Sequence, residues 1–209
     1  MALHPADSSA ALKAHIKASE KLILHAYFDP VGVPTAGWGH IDGITSSMAK
    51  VKQAISTAQA AKWFEEDLDI AERAVRKYVK VALNQNQFDA LVDFVFNCGA
   101  SNLASSTLLK LLNRGDYAAV PAQLMRWTKA RDRKTGKMVE LRGLVIRRKW
   151  EADLWSSLAP PEPANYRDGE RNCEATVIPD ASNASEPVTL GGLIAKFFAA
   201  LLAAFTRRA

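Results

Sequence analysis

A chain of 209 residues with 48% apolar and 23% charged side chains can bury a full hydrophobic core without staples, and this composition excludes a disordered or fibrous protein. Its two cysteines and four scattered histidines (His4, His15, His25, His40) offer no short-range zinc spacing and no disulfide framework, with one Cys98–Cys173 bond left open. The formal charge is +5, and basic residues crowd into Arg126, Lys129, Arg131, Arg133, Lys134, Lys137, Arg142, Arg147, Arg148 and Lys149; this reads as a solvated face or as a surface attracted to a polyanion, and no nucleic-acid-binding motif accompanies it.

Residues 1–21 have no apolar core of the signal-peptide kind. Asp7, Ser8 or Ser9 caps a first helix running towards Ser19, with Leu12 and Ile16 on one face. Residues 27–45 break that pattern with Gly32, Gly37, Gly39, Gly43, Pro30 and Pro34; Tyr27-Phe28 and Val31-Gly32-Val33 read as short strands around a turn, forming a small hairpin lobe. A long helix begins near Ser56 or Thr57, where Ser56 and Gln59 match a capping box. Its inward stripe is Ala60, Phe64, Leu68, Ala71 and Val75. Residues 85–97 carry Phe88, Leu91, Val92, Val95 and Phe96 and predict a buried central helix for a larger lobe. Three more helices are expected at 103–112, 117–127 and 144–158, with Trp127, Trp150 and Trp155 as core residues and Arg147 and Arg148 pinning the last helix to carboxylates.

The character changes at Leu158, so residues 1–158 form the folded domain. Residues 159–187 hold Pro160, Pro161, Pro163, Pro179 and Pro187 among small polar residues, a linker composition. In 188–209, Leu193, Ile194, Phe197, Phe198, Leu201, Leu202 and Phe205 recur every three to four residues and predict an amphipathic C-terminal helix. Its apolar stretch, roughly 24 Å long, is shorter than the ~20 residues that span a bilayer, and Lys196 interrupts it. Three readings stay open: a helix lying in a membrane interface with its cations on anionic lipid, a helix folded back on the domain or on another copy, or a short anchor. The first makes Leu193, Phe197, Phe198, Leu201, Leu202 and Phe205 membrane-contacting residues.

Residues 20–40 carry the chemistry. Glu20 closes the first helix, Asp29 precedes the turn and Thr35 follows it. If the chain reverses at Gly32, Asp29 and Thr35 face each other across the hairpin and Glu20 approaches from the helix side of a cleft. Two carboxylates and a hydroxyl are what cleavage of a glycosidic bond requires: a protonated acid for the leaving oxygen and an ionised base for a water, ~6.5–9.5 Å apart in inverting enzymes.

The run Glu-x3-Leu-x-Ala-Tyr-x-Asp-x2-Gly-x2-Thr-x-Gly-x-Gly-His strongly resembles the phage-type lysozymes, or endolysins, of glycoside hydrolase family 24. The likeness continues through Gln87-Phe88-Asp89-Ala90-Leu91-Val92-Asp93-Phe94-Val95-Phe96-Asn97-Cys98-Gly99, Ser106-Thr107-Leu108-Leu109, Trp127 and the segment 143–151, and covers about residues 8–157. The resemblance implies an α+β, mostly helical, two-lobed fold with a small N-terminal β-hairpin lobe. It implies hydrolysis, with inversion, of the β-1,4 bond between N-acetylmuramic acid and N-acetylglucosamine in peptidoglycan, causing host cell lysis. Glu20 would be the general acid, Asp29 would activate the water and Thr35 would help hold it. Ile41, Phe96 and Thr107 match positions where the family contacts sugar, while core packing is the other reading, favoured for Phe96; His40 lines the cleft or is a hydrogen-bonded structural residue, the reading favoured, and Asn97 binds saccharide or ties backbone at a helix end. No cofactor and no nucleic acid is implied, and a monomer is expected. Without a signal peptide, the chain is expected to accumulate in the host cytoplasm until a membrane-permeabilising protein opens the way to the wall, with the C-terminal helix on an anionic membrane. Two rivals remain: a lytic transglycosylase, and a non-enzymatic membrane-lytic or wall-binding protein. One departure stands out. The family has Gly after the acid where this chain has Lys21, whose ammonium would lower the pKa of Glu20.

Overall fold

Ser9 ends the N-terminal approach by accepting a hydrogen bond from Leu12 N–H, and α1 (Ala10–Ser19) follows, burying Leu12 and Ile16. The computed structural model describes residues 3–29, 32–131 and 136–157; the linker, the C-terminal helix, Cys173 and Val31 lie outside them. After α1 the chain forms an antiparallel pair, β1 (Ile23–Phe28) and β2 (Pro34–Gly37), with Tyr27 opposite Thr35 and Phe28 opposite Pro34. The second strand begins at Pro34, three residues after the Val31 start read from the sequence, and shares none of the residues 31–33 expected to form it. Val33 belongs to the turn because its N–H goes to the Asp29 side chain. On the other edge of β1, Ala26 N–H donates to Gln53 O and Ile55 N–H to Leu24 O. The short α2 (Ser46–Lys50), capped by Thr45, closes this lobe. Ala26, Ala36 and Ile44 form its own small core, with Met48, Ile55 and Trp63 packed on it.

The larger lobe is helical. In α3 (Thr57–Tyr78), Ser56 accepts from Gln59 N–H, and the predicted stripe Ala60, Phe64, Leu68, Ala71 and Val75 is buried. A full reciprocal capping box forms at Asn84 and Gln87, where α4 (Gln85–Cys98) begins. The helix expected over 103–112 is two: α5 (Ala100–Ser105) and α6 (Thr107–Leu112). Ser106 between them is extended, and its hydroxyl accepts from Leu109 N–H, so capping the second helix interrupts the first. α7 (Val120–Leu124) is shorter than expected, and α8 (Arg142–Ser156) matches its prediction closely. Between them an unexpected hairpin, β3 (Lys129–Arg131) with β4 (Met138–Glu140), carries part of the basic region.

The main core gathers Leu12, Ile16, Phe64, Leu68, Phe88, Leu91, Phe94, Leu103, Leu108 and Leu112 around α4, with Trp150 and Trp155 inside and Trp127 against it. Each such side chain contributes roughly 1.5–3 kcal/mol on burial, so α4 is the axis on which α1, α3 and α8 are fixed. Among the described residues, no helix is long and apolar enough to cross a membrane.

Candidate active site

The end of α1, the middle of α4 and the second turn of α8 meet at one buried guanidinium. Glu20 caps α1 with extended backbone, its N–H bonded to Ile16 O. This turns its side chain inward, where it is 5% exposed. Arg147 of α8, fully enclosed, donates through Nη1 to Glu20 Oε1 at 2.7 Å. The same guanidinium grips Asp93 of α4 with a two-point fork, Nε to Oδ2 at 2.9 Å and Nη2 to Oδ1 at 2.7 Å. Glu20 Oε2 is buried with no hydrogen-bond partner among the described residues. Burial raises the pKa of Glu20 against the pull of Arg147, with Asp93 adding to the rise. At Asp93 burial works in the same upward sense, but there the guanidinium wins and holds the carboxyl well below the usual range.

Next to Arg147, Arg148 pairs with Glu151 one turn further along α8, both fully buried, and Arg148 Nη1 also reaches Cys98 Sγ at 2.9 Å. Burial pushes Glu151 up against the pull of Arg148. His15 of α1 stacks on Trp150 at 3.4 Å between ring centroids; burial pushes its pKa down to about 4, so the ring is neutral at physiological pH. Arg147 meets the expectation of a pin, joining α8 to Asp93 of α4 and to Glu20, whereas Arg148 pairs with Glu151 of α8 itself; both are buried and leave the basic surface region.

The hairpin holds the other candidates with its own backbone. Asp29 Oδ1 accepts Val33 N–H at 2.7 Å, Asp29 N–H returns to Val33 O at 2.9 Å, and Gly32 N–H closes the turn on Asp29 O. Gly32 has φ +81°, the left-handed conformation that favours glycine. Thr35 is buried and donates its hydroxyl to Val33 O at 3.0 Å, which leaves the oxygen lone pairs as acceptors. Thr35 stands opposite Tyr27, not Asp29. Asp29 and Thr35 are diagonal neighbours on one face rather than the facing pair expected. Tyr27 sits among these groups: burial, then the charges of Glu20 and Asp29, raise the pKa of its hydroxyl.

The predicted sugar contacts scatter in character. His40 is buried, with Nδ1 at 3.0 Å from Asp67 Oδ2 and its ring stacked on Trp63. Ile41 is half-buried and Thr107 is exposed at the start of α6. Phe96 is half-buried, tilted against Phe64. Asn97 is buried, and its Nδ2 has no partner among the described residues. Lys21 is exposed, and the cation that bears on Glu20 is Arg147. Sequence reasoning missed Tyr27 and Asp93. Asp93 had a signal, an acid inside the apolar run of α4, where a carboxylate must find a buried partner.

Residues 17–151 match the model of a family described as phage lysozyme. That span contains Glu20, Asp29, Thr35, Asp93 and Arg147. The chain is 38% identical over 142 residues to the endolysin of Acyrthosiphon pisum secondary endosymbiont phage 1, covering 68% of this chain and 92% of that protein. Among solved structures, the endolysin from Escherichia coli O157:H7 phage FAHEc1 aligns with a TM-score of 0.63 at 34% identity, covering 74% of this chain and 96% of that one. The muramidase domain of SpmX from Asticaccaulis excentricus aligns with a TM-score of 0.63 at 30% identity, covering 71% and 97%.

Proposed function

The chain belongs to the phage lysozyme family, and from that premise we propose that Glu20, Asp29 and Thr35 perform its hydrolysis of cell-wall glycan. The protein is an endolysin of the glycoside hydrolase class, with peptidoglycan as its substrate. In our reading the bond cut is the β-1,4 link between N-acetylmuramic acid and N-acetylglucosamine. Glu20 gives its proton to the leaving oxygen. Asp29 takes a proton from the attacking water as that water adds to the anomeric carbon from the opposite face, which inverts the centre. Thr35, its hydroxyl hydrogen already donated to Val33 O, accepts a hydrogen bond from that water and so orients it.

The observation that carries this reading is the contrast between the two carboxyls. Glu20 is desolvated, with its pKa raised as a proton donor needs. Asp29 is equally buried but is anchored within its own turn, with Oδ1 accepting Val33 N–H. Ile41, Phe96, Asn97 and Thr107 serve as glycan contacts, and His40 joins them from a ring already fixed by Asp67 and Trp63. Residues 188–209, outside the described residues, act on an anionic membrane once the protein, made in the host cytoplasm as a monomer, is released towards the wall.

Digestion of purified peptidoglycan by the wild type and by Glu20→Gln, with the products weighed, tests this. The expected products end in reducing N-acetylmuramic acid, and Glu20→Gln loses a factor of about 10²–10⁴ in rate. Anhydro ends from the wild type would make it a transglycosylase, and equal rates from both proteins would remove Glu20 from the chemistry. A chain ending at 187 should digest purified wall unchanged but lose leakage of anionic vesicles; undiminished leakage would refute the membrane role.

A further inference from the structure

Glu20 and Asp93 share one cation unequally. Arg147 spends two of its three nitrogens on Asp93 and one on Glu20. All three side chains are enclosed, so the division is set by protein geometry and not by water. Asp93 receives a donor on each oxygen. Among the described residues Glu20 receives one donor, on Oε1, and Oε2 is buried without a partner. An ionised carboxylate in that state leaves half of its charge unsolvated, a cost that a proton on Oε2 removes. With one guanidinium between two carboxyls, one of them can be neutralised by a proton instead of by the cation, and the one without the fork is Glu20.

We propose that Asp93 is a positioning residue for the reaction: by holding Arg147 in the two-point fork it keeps the guanidinium off Glu20 Oε2 and so leaves the acid its transferable proton. This rests on the reading of Glu20 as general acid. The other groups around Glu20 do not supply the same effect. His15 on α1 is neutral and Tyr27 on β1 stays protonated; Glu151 on α8 is paired with Arg148 and also bears on Asp93 and Arg147, so it supports the fork instead of replacing it. Asp29, just after β1, is bound into the hairpin turn, and Lys21 is exposed. In Asp93→Asn the side-chain oxygen can accept only from one edge of Arg147, and the amide hydrogens repel the other. The guanidinium then turns its fork to both oxygens of Glu20, and the acid ionises at lower pH.

The test is the pH dependence of kcat and KM on purified peptidoglycan for the wild type, Asp93→Asn and Glu20→Gln. In Asp93→Asn the alkaline limb of kcat should move down by about one pH unit or more, with KM within about threefold of wild type. Activity should recover as the pH is lowered. A uniform loss with the limb unmoved would make Asp93 structural and overturn the proposal. Full activity in Glu20→Gln would instead overturn the acid assignment, a separately readable failure. Should Asp93→Asn not fold, the wild type decides. Infrared spectra of protein carrying ¹³C-carboxyl glutamate, differenced against Glu20→Gln, should contain a protonated Glu20 band that persists above the ordinary glutamate pKa of about 4.3. Its disappearance at or below that pH would overturn the proposal.

Discussion

Glu20 and Asp29 are both buried carboxyls, but they are held by opposite means. Asp29 is fixed within its own turn, by the N–H of a residue four positions away and a chain reversal at Gly32. Glu20 is fixed by Arg147, 127 residues along the chain, and that arginine is itself fixed by Asp93 on a third element. The hairpin half of the site therefore assembles from local geometry, whereas the helical half exists only once α1, α4 and α8 have packed. A locally held carboxylate keeps its geometry through small changes elsewhere in the fold. A carboxyl held across the core depends on every contact that sets α8 against α4.

The largest effect that follows is in Arg147→Met. It leaves Asp93 and Glu20 in the interior without their cation, and breaking such a buried pair costs roughly 3–5 kcal/mol. Asp29→Asn should by contrast cost about 1 kcal/mol, because the amide oxygen can still accept Val33 N–H, while wall digestion falls sharply. Urea unfolding of the two variants measures the contrast. Equal losses of stability would show that the hairpin is not the autonomous half described here.

That contrast also explains what could be read from the sequence. Asp29, Gly32 and Thr35 lie within seven consecutive residues of the run that carries the family resemblance, and the stripes of α3 and α4 repeat at helical spacing, so both are located from the sequence. Ser106 was legible only in part: the apolar run continues through it, and the capping bond to Leu109 that breaks the helix competes with an equally good helical pattern. α2 and the β3–β4 hairpin are too short for a period to show. Asp93 announces that it needs a partner, but nothing in the neighbouring residues says that the partner is Arg147 or that Glu20 is on the same guanidinium. Sequence order carries no information on such a three-element contact.

A smaller effect is expected at His40, which ties the hairpin lobe to α3 through Asp67. Burial of the ring opposes its charge, but the hydrogen bond and charge of Asp67, with Asp42, leave its pKa above the ordinary value. The folded pKa exceeds the unfolded one of about 6.5. The stabilisation is therefore complete below that pH and disappears as the pH rises through the folded value. Asp67 is partly exposed, so water screens the pair and its worth is about 1 kcal/mol. The stability gap between the wild type and His40→Asn should be widest near pH 5.5 and should close by about pH 9. A gap that does not change with pH would mean that stacking on Trp63, not the charge, holds the two lobes together at this point.

The smallest effect distinguishes the two cations beside the acid. Lys21 follows Glu20 directly in the chain, where the family resemblance has glycine, and proximity in sequence suggests that its ammonium acts on the carboxyl. Its side chain is exposed, and a solvated ammonium is screened by water at a distance where the enclosed guanidinium is not. Lys21→Gly should therefore leave the alkaline limb of kcat within about 0.3 pH unit of wild type and shift stability by no more than about 0.5 kcal/mol, as surface substitutions do. Raising the salt concentration should not separate the two proteins further. An upward shift of a full unit in Lys21→Gly would mean that a local charge sets the proton of the acid after all, and the difference between the locally built and the core-built halves of the site would collapse. An unmoved limb here together with a moved limb in Asp93→Asn would assign control of Glu20 to the buried network across α4 and α8.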